Sequence, residues 1–117
     1  MKILLAEDER TISQLISHVL IAQGHEVNAV RAVAAAIQLL SAIEYDLVLL
    51  DLHLSDGDGF QVVDFVDGGP GVRPPVIAMT GESPFAAKDP RSARVAAVLY
   101  KPFTLDEFEA AVRGFIV

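Results

Sequence analysis

The stretch Asp46-Leu47-Val48-Leu49-Leu50-Asp51 decides how this chain reads. Its four apolar residues show no alternation, so neither face can be turned to water. That is the pattern of a strand buried on both sides near the middle of a sheet. Going outward toward the N-terminus, the period changes to three and four residues at Val33, Ala36, Ile37 and Leu40, which predicts a helix. Before it, His25 to Val30 reads as a less apolar strand suited to an edge, and Ile12, Leu15, Ile16, Val19 and Leu20 mark another helix with Gly24 at its C-terminal cap. Lys2 to Ala6, with Ile3-Leu4-Leu5 inside, reads as a second strand buried on both faces.

Toward the C-terminus, Ser55-Asp56-Gly57-Asp58-Gly59 has loop chemistry, and Phe60 to Val66 suits a short helix stopped by Asp67-Gly68-Gly69-Pro70-Gly71. A fourth strand is expected over Pro75 to Thr80. The segment from Glu82 to Arg94 has little pattern and is broken by Pro84 and Pro90, so a helix there should be short or irregular. Val95 to Tyr100 reads as a fifth strand. Thr104-Leu105-Asp106-Glu107 has a capping-box pattern and opens a last helix, with Leu105, Phe108, Val112 and Phe115 on one face. Strand and helix alternate five times, which predicts one α/β domain over residues 1–117 with a parallel sheet, right-handed crossovers and helices on both faces.

Composition narrows the function. The chain is 52% hydrophobic, enough for a packed core, and it contains no cysteine, which excludes a disulfide framework, a thiolate metal site and a cysteine nucleophile. No apolar run approaches the ~18 residues of a membrane span. The opening residues look like a mature cytoplasmic start, with a short apolar run that ends in acids. Sixteen acids against nine Lys and Arg give a formal charge of −7, which argues against direct binding of nucleic acid or of anionic membranes.

In open α/β sheets, ligands bind past the carboxyl ends of the strands. Glu7 and Asp8 follow the first strand, Asp51 ends the third, Thr80 ends the fourth, and Lys101 follows the fifth; the second contributes nothing obvious. Three carboxylates, a hydroxyl and an ammonium at one edge suit a hard cation such as Mg²⁺ together with a phosphoryl group. Asp51 could serve as a carboxylate nucleophile, with Thr80 and Lys101 neutralising phosphoryl oxygens. Taken singly, each residue has a plainer reading: Asp8 as a helix N-cap, Thr80 as turn chemistry, Asp51 as loop, Lys101 as a solvated lysine.

Together these residues resemble the receiver domains of response regulators in bacterial two-component systems, the CheY-like fold. The match runs along essentially the whole chain: Ile3-Leu4-Leu5-Ala6-Glu7-Asp8-Glu9, then Asp51-Leu52 with Asp58-Gly59, then Thr80-Gly81, then Lys101-Pro102-Phe103. The resemblance implies a doubly wound, flavodoxin-like five-stranded parallel sheet of order 2-1-3-4-5. It implies Asp51 as phosphoacceptor, Mg²⁺ held by Glu7, Asp8, Asp51 and the backbone carbonyl of His53, Thr80 as switch hydroxyl, and Lys101 as phosphate-binding lysine before a cis proline. The implied partner is a sensor histidine kinase or a histidine phosphotransfer protein. Output would go to a further protein by direct contact, with a phosphorylation-dependent dimer as one form of it. Such a domain is no enzyme toward other substrates, catalysing only its own phosphorylation and slow dephosphorylation. His53 and Glu82 would flank the hydrolytic water.

Three departures stand out. Ser55 replaces the family's usual proline, which should loosen that loop; Val98 replaces the aromatic switch; and the fourth helix is interrupted by prolines. Signalling through order and disorder of residues 81–94 is therefore expected in place of an aromatic flip. The competing readings are a receiver fold kept as an unphosphorylated scaffold and a dehalogenase-type phosphohydrolase. The second is disfavoured because that family wants an acid where His53 stands. A calcium loop starting at Asp51 fails for lack of acids at its third and fifth places and of a closing Glu.

Overall fold

Five short strands lie parallel in one sheet: β1 (Lys2–Ala6), β2 (Glu26–Val30), β3 (Leu47–Asp51), β6 (Val76–Thr80) and β7 (Ala97–Tyr100). β4 (His53–Leu54) and β5 (Gly57–Asp58) form a separate antiparallel hairpin immediately after β3. The sheet order is β2-β1-β3-β6-β7, which is 2-1-3-4-5 when only its own strands are counted. The fold is thus the expected doubly wound, CheY-like one, with β3 at the centre and the less apolar β2 at an edge. This computed structural model describes residues 1–69, 73–81 and 90–116.

Every residue of β3 and β6 is buried, because helices cover both faces of the sheet. Alternate residues face opposite ways. Leu4, Ala6, Val48, Leu50 and Ala78 pack under α2 (Val33–Ala42) and α3 (Phe60–Gly68). Ile3, Leu5, Leu47, Leu49, Ile77 and Met79 pack under α1 (Arg10–Ala22) and α4 (Leu105–Arg113). At about 1.5–3 kcal/mol for each buried aliphatic side chain, these two layers are the main source of stability.

The helix ends follow local chemistry. Gly24 takes φ +92°, and the Gly24 and His25 amides donate to the Ile21 and Leu20 carbonyls, closing α1 with a Schellman turn. Thr104 and Glu107 make the reciprocal capping box at the start of α4. The core lists read from periodicity need two corrections. Leu15 is 51% exposed because it lies beyond the arc of α1 set by Ile12, Ile16, Val19 and Leu20, and Leu105 is 45% exposed at the first position of α4.

One loop differs from expectation, and another agrees with it where it is described. The segment after Asp51, expected as a loop, folds into the β4–β5 hairpin, with Ser55 and Asp56 as its two-residue turn. Among the described residues, the short or irregular helix expected between Glu82 and Arg94 is represented by a 3-10 turn at Pro90–Arg94. Arg91 binds Asp64 at 2.9 Å and Asp58 at 3.2 Å and lies over the Phe60 ring, while Arg94 reaches Asp64 and Asp67, so this turn is fastened to α3. Most of residues 81–94, including Glu82, lies outside the described residues.

Candidate functional site

The site is built where β1, β3, β6 and β7 end together. Asp51 is the last residue of β3 and is buried; Glu7, one past β1, has no exposed surface. Parallel pairing of Leu50 with Ala6 brings these two acids side by side. Backbone bonds then fix their approach. The Glu7 amide donates to the Val30 carbonyl at 3.0 Å, the Glu9 amide to the Glu7 carboxylate at 3.2 Å, and the His53 amide to Asp51 Oδ1 at 2.9 Å. Asp8 is not the N-cap of α1. That position falls to Glu9, which makes no side-chain cap bond, so Asp8 is left to the acidic cluster. Carboxylate oxygens of Glu7, Asp8 and Asp51 lie within 4.8 Å of one another.

Lys101 follows β7, and its bond to Pro102 is cis. Its Nζ donates to Glu7 Oε1 at 2.6 Å and to Asp51 Oδ2 at 3.1 Å. Burial pushes Glu7 up to about 7, and the nearby Asp51 carboxylate adds to the rise; Lys101 and the Glu9 amide only partly offset it. Burial also opposes the charge on Lys101, but the bond to Glu7 and the two carboxylate charges hold its pKa above the ordinary lysine value. The Lys101 ammonium sits between two of these carboxylates and offsets part of their mutual repulsion. Three carboxylates so close are a hard-oxygen donor set of the kind Mg²⁺ takes.

Thr80 is buried at the end of β6, next to β3, and its carbonyl accepts from the Lys101 amide at 2.8 Å. Gly59 is required by close approach: a Cβ there would lie 2.6 Å from the Asp51 carbonyl oxygen and 2.8 Å from Leu52 Cα. The structure thus brings together Glu7, Asp8, Asp51 and Lys101, with Thr80 at the same sheet edge. His53 is exposed in β4, two residues beyond Asp51. Val98 pairs with Ala78 in the sheet, and Tyr100 pairs with Thr80. Sequence reasoning missed Asp56, whose carboxylate accepts from the Val33 amide at 2.7 Å and the Ala34 amide at 3.1 Å.

An acid–lysine cluster at the carboxyl edge of a 2-1-3-4-5 sheet defines a class of α/β domain, and comparison with known proteins names it. The family model described as "Response regulator receiver domain" matches residues 3–113, and the chain belongs to that family: it is a receiver domain of the two-component type. It is 33% identical over 118 residues to the transcriptional regulatory protein TctD of Salmonella typhimurium, covering 99% of this chain and 52% of that one. It is 32% identical over 120 residues to the transcriptional regulatory protein TcrA of Mycobacterium tuberculosis, covering 97% of this chain and 45% of that one. The chain therefore spans about half the length of these relatives.

Among solved structures, a CheY-like receiver domain from Methylobacillus flagellatus superposes with a TM-score of 0.86 at 21% identity, covering 99% of this chain and 98% of that one. The receiver domain of a sensor histidine kinase from Pseudomonas aeruginosa PAO1 has a TM-score of 0.84 at 25% identity, covering 97% and 95%; it carries a magnesium ion in its active-site cleft. No helix among the described residues is long and apolar enough to cross a membrane.

Proposed function

We propose that this domain accepts a phosphoryl group on Asp51 from a phosphohistidine of a sensor histidine kinase or a histidine phosphotransfer protein, with Mg²⁺ as cofactor, and signals through contacts with another protein. The observation that carries this reading is the placement of Asp51. It is a buried carboxylate held by an amide on one oxygen and an ammonium on the other, within reach of two further acids. In the transfer, an Asp51 oxygen forms a bond to phosphorus while the P–N bond to the donor imidazole breaks; the imidazole keeps that electron pair and takes up a proton.

Glu7, Asp8, Asp51 and the His53 carbonyl would hold the Mg²⁺. When bound, the ion offsets negative charge on the phosphoryl oxygens. Lys101 would move from the carboxylates toward one of those oxygens, and the Thr80 hydroxyl would donate to another. Parallel pairing of β3 and the close approach of Gly59 to the Asp51 backbone would position Asp51 for this step. The domain would then act on no substrate but itself, from a cytoplasmic location.

Incubation with acetyl phosphate and Mg²⁺ should add one phosphoryl group, readable by intact mass. Asp51→Asn should take up none, and EDTA should prevent uptake by the parent. Equal labelling of Asp51→Asn would overturn the assignment.

A further inference from the structure

The second strand has no acid or hydroxyl at its carboxyl end to offer the site, yet the connection that follows it, beginning with Arg31, touches both acid-bearing loops. On one side, the Glu7 amide is bonded to the Val30 carbonyl, and the Arg31 guanidinium donates to the Asp8 carbonyl at 3.3 Å. On the other, Asp56 at the tip of the β4–β5 hairpin accepts from the first two amides of α2. Helix α2 has no cap of its own, since its N-cap residue, Ala32, has no side chain that can accept. The hairpin tip supplies that cap from 22 and 23 residues away in sequence. Gly57 beside it has φ +158°, and a Cβ there would come within 3.9 Å of the Val33 side chain, so the tip rests directly on α2.

These bonds close a ring around the acids. It runs from Glu7 and Asp8 through the β2–α2 connection to Asp56, and back along the hairpin through His53 to Asp51. We infer that Asp56 is a positioning residue for the acceptor site, clasping the hairpin to α2 and so fixing the His53 backbone and the Asp51 carboxylate where metal and phosphoryl group must meet. This rests on the acceptor reading above and deepens it. A loop that lacks the family's usual proline is held here by a side chain, in a bond that crosses between two loops. The β2–α2 connection thereby becomes part of the site without contributing a ligand.

A helix cap lost and a ligand misplaced give different signatures, which makes the inference testable. Asp56→Ala removes both effects. Asp56→Ala combined with Ala32→Ser restores a cap to α2, because Ala32 already has the extended backbone of an N-cap, but leaves the hairpin unfastened. Mg²⁺ binding is measured by calorimetry, labelling by acetyl phosphate, and stability by urea unfolding, on the parent and each variant. Asp56→Ala is expected to bind Mg²⁺ about tenfold more weakly, as when a group that orients a metal ligand is lost. Labelling at low Mg²⁺ should slow in proportion. The double variant should recover stability but neither the affinity nor the rate, and Asp56→Asn, which keeps one acceptor oxygen, should fall between parent and alanine. Recovery of affinity and labelling in the double variant would overturn the inference, as would an Asp56→Ala protein that binds and labels like the parent. A parent that neither binds Mg²⁺ nor labels would overturn the acceptor reading itself, and this inference with it.

Discussion

Lowering the pH from about 8 to about 6 should put a proton on Glu7 and weaken Mg²⁺ binding. Glu7 is fully buried beside Asp51, and its pKa is raised from 4.5 to about 7, chiefly by burial. A metal ligand must be deprotonated, so the apparent Mg²⁺ affinity falls by the factor 1 + 10^(pKa − pH). With a pKa near 7 that factor is about 1.1 at pH 8, about 2 at pH 7 and about 11 at pH 6, a tenfold loss across the window. An ordinary glutamate would give almost no change over the same range.

Calorimetric titration with Mg²⁺ at the three pH values checks the slope. Repeating the pH 6 titration in two buffers of different ionisation enthalpy counts the protons released, expected at about 0.9 per ion. Glu7→Gln should bind more weakly at every pH and lose the slope. The same shift has a consequence for the metal-free fold. Because the folded pKa lies above the unfolded one, the contribution of Glu7 to stability is complete below about pH 4.5 and is lost as the pH rises through about 7. An Mg²⁺ affinity that is flat between pH 6 and 8 in the parent would refute the reasoning, as would a slope that survives Glu7→Gln.

Three further outcomes follow from contacts in the structure. Lys101→Ala should slow labelling by acetyl phosphate about a hundredfold while Mg²⁺ binding persists, because a donor to the transferring oxygens is lost and no metal ligand is; loss of both together would place Lys101 in a purely structural role. Gly59→Ala forces a Cβ to within 2.6 Å of the Asp51 carbonyl oxygen, so urea unfolding should show a loss of about 2 kcal/mol, and an unchanged midpoint would refute the close approach. Arg91→Ala removes two partly exposed ion pairs and a contact with the Phe60 ring, for an expected cost of about 1 kcal/mol in the same assay; no loss would show that the 3-10 turn is not fastened to α3 through this side chain.

Much of the fold was legible because burial on both faces leaves a simple mark. Runs such as Leu47 to Leu50 have no polar residue to place, and the intervening helices show their three-to-four spacing. The site was legible for a related reason: Asp51 interrupts an apolar run at the point where a strand must end. Where the reading failed, the deciding contact lay across the chain. Leu15 matches the helical pattern as well as Ile16 does, and only the way α1 is seated on the sheet leaves one of them in water. The capping box of Thr104 and Glu107 could be read because both partners lie within one turn.

Asp56 could not be read in that way. Inside Ser55-Asp56-Gly57-Asp58-Gly59 it is one of two acids in a polar loop, and local chemistry gives each the same role. The structure separates them. Asp58 accepts from the Phe60 amide two residues on, a contact within its own loop, while Asp56 caps a helix that begins 23 residues earlier. The missing cap on α2 was the readable half of this signal. Ala32-Val33-Ala34 offers no acceptor to the first amides of a helix whose pattern is otherwise clear, and such amides need a partner. An uncapped helix start in an α/β chain is therefore a reason to look for an acid in a neighbouring loop at the same edge of the sheet. Here that loop is the one that follows the acceptor strand.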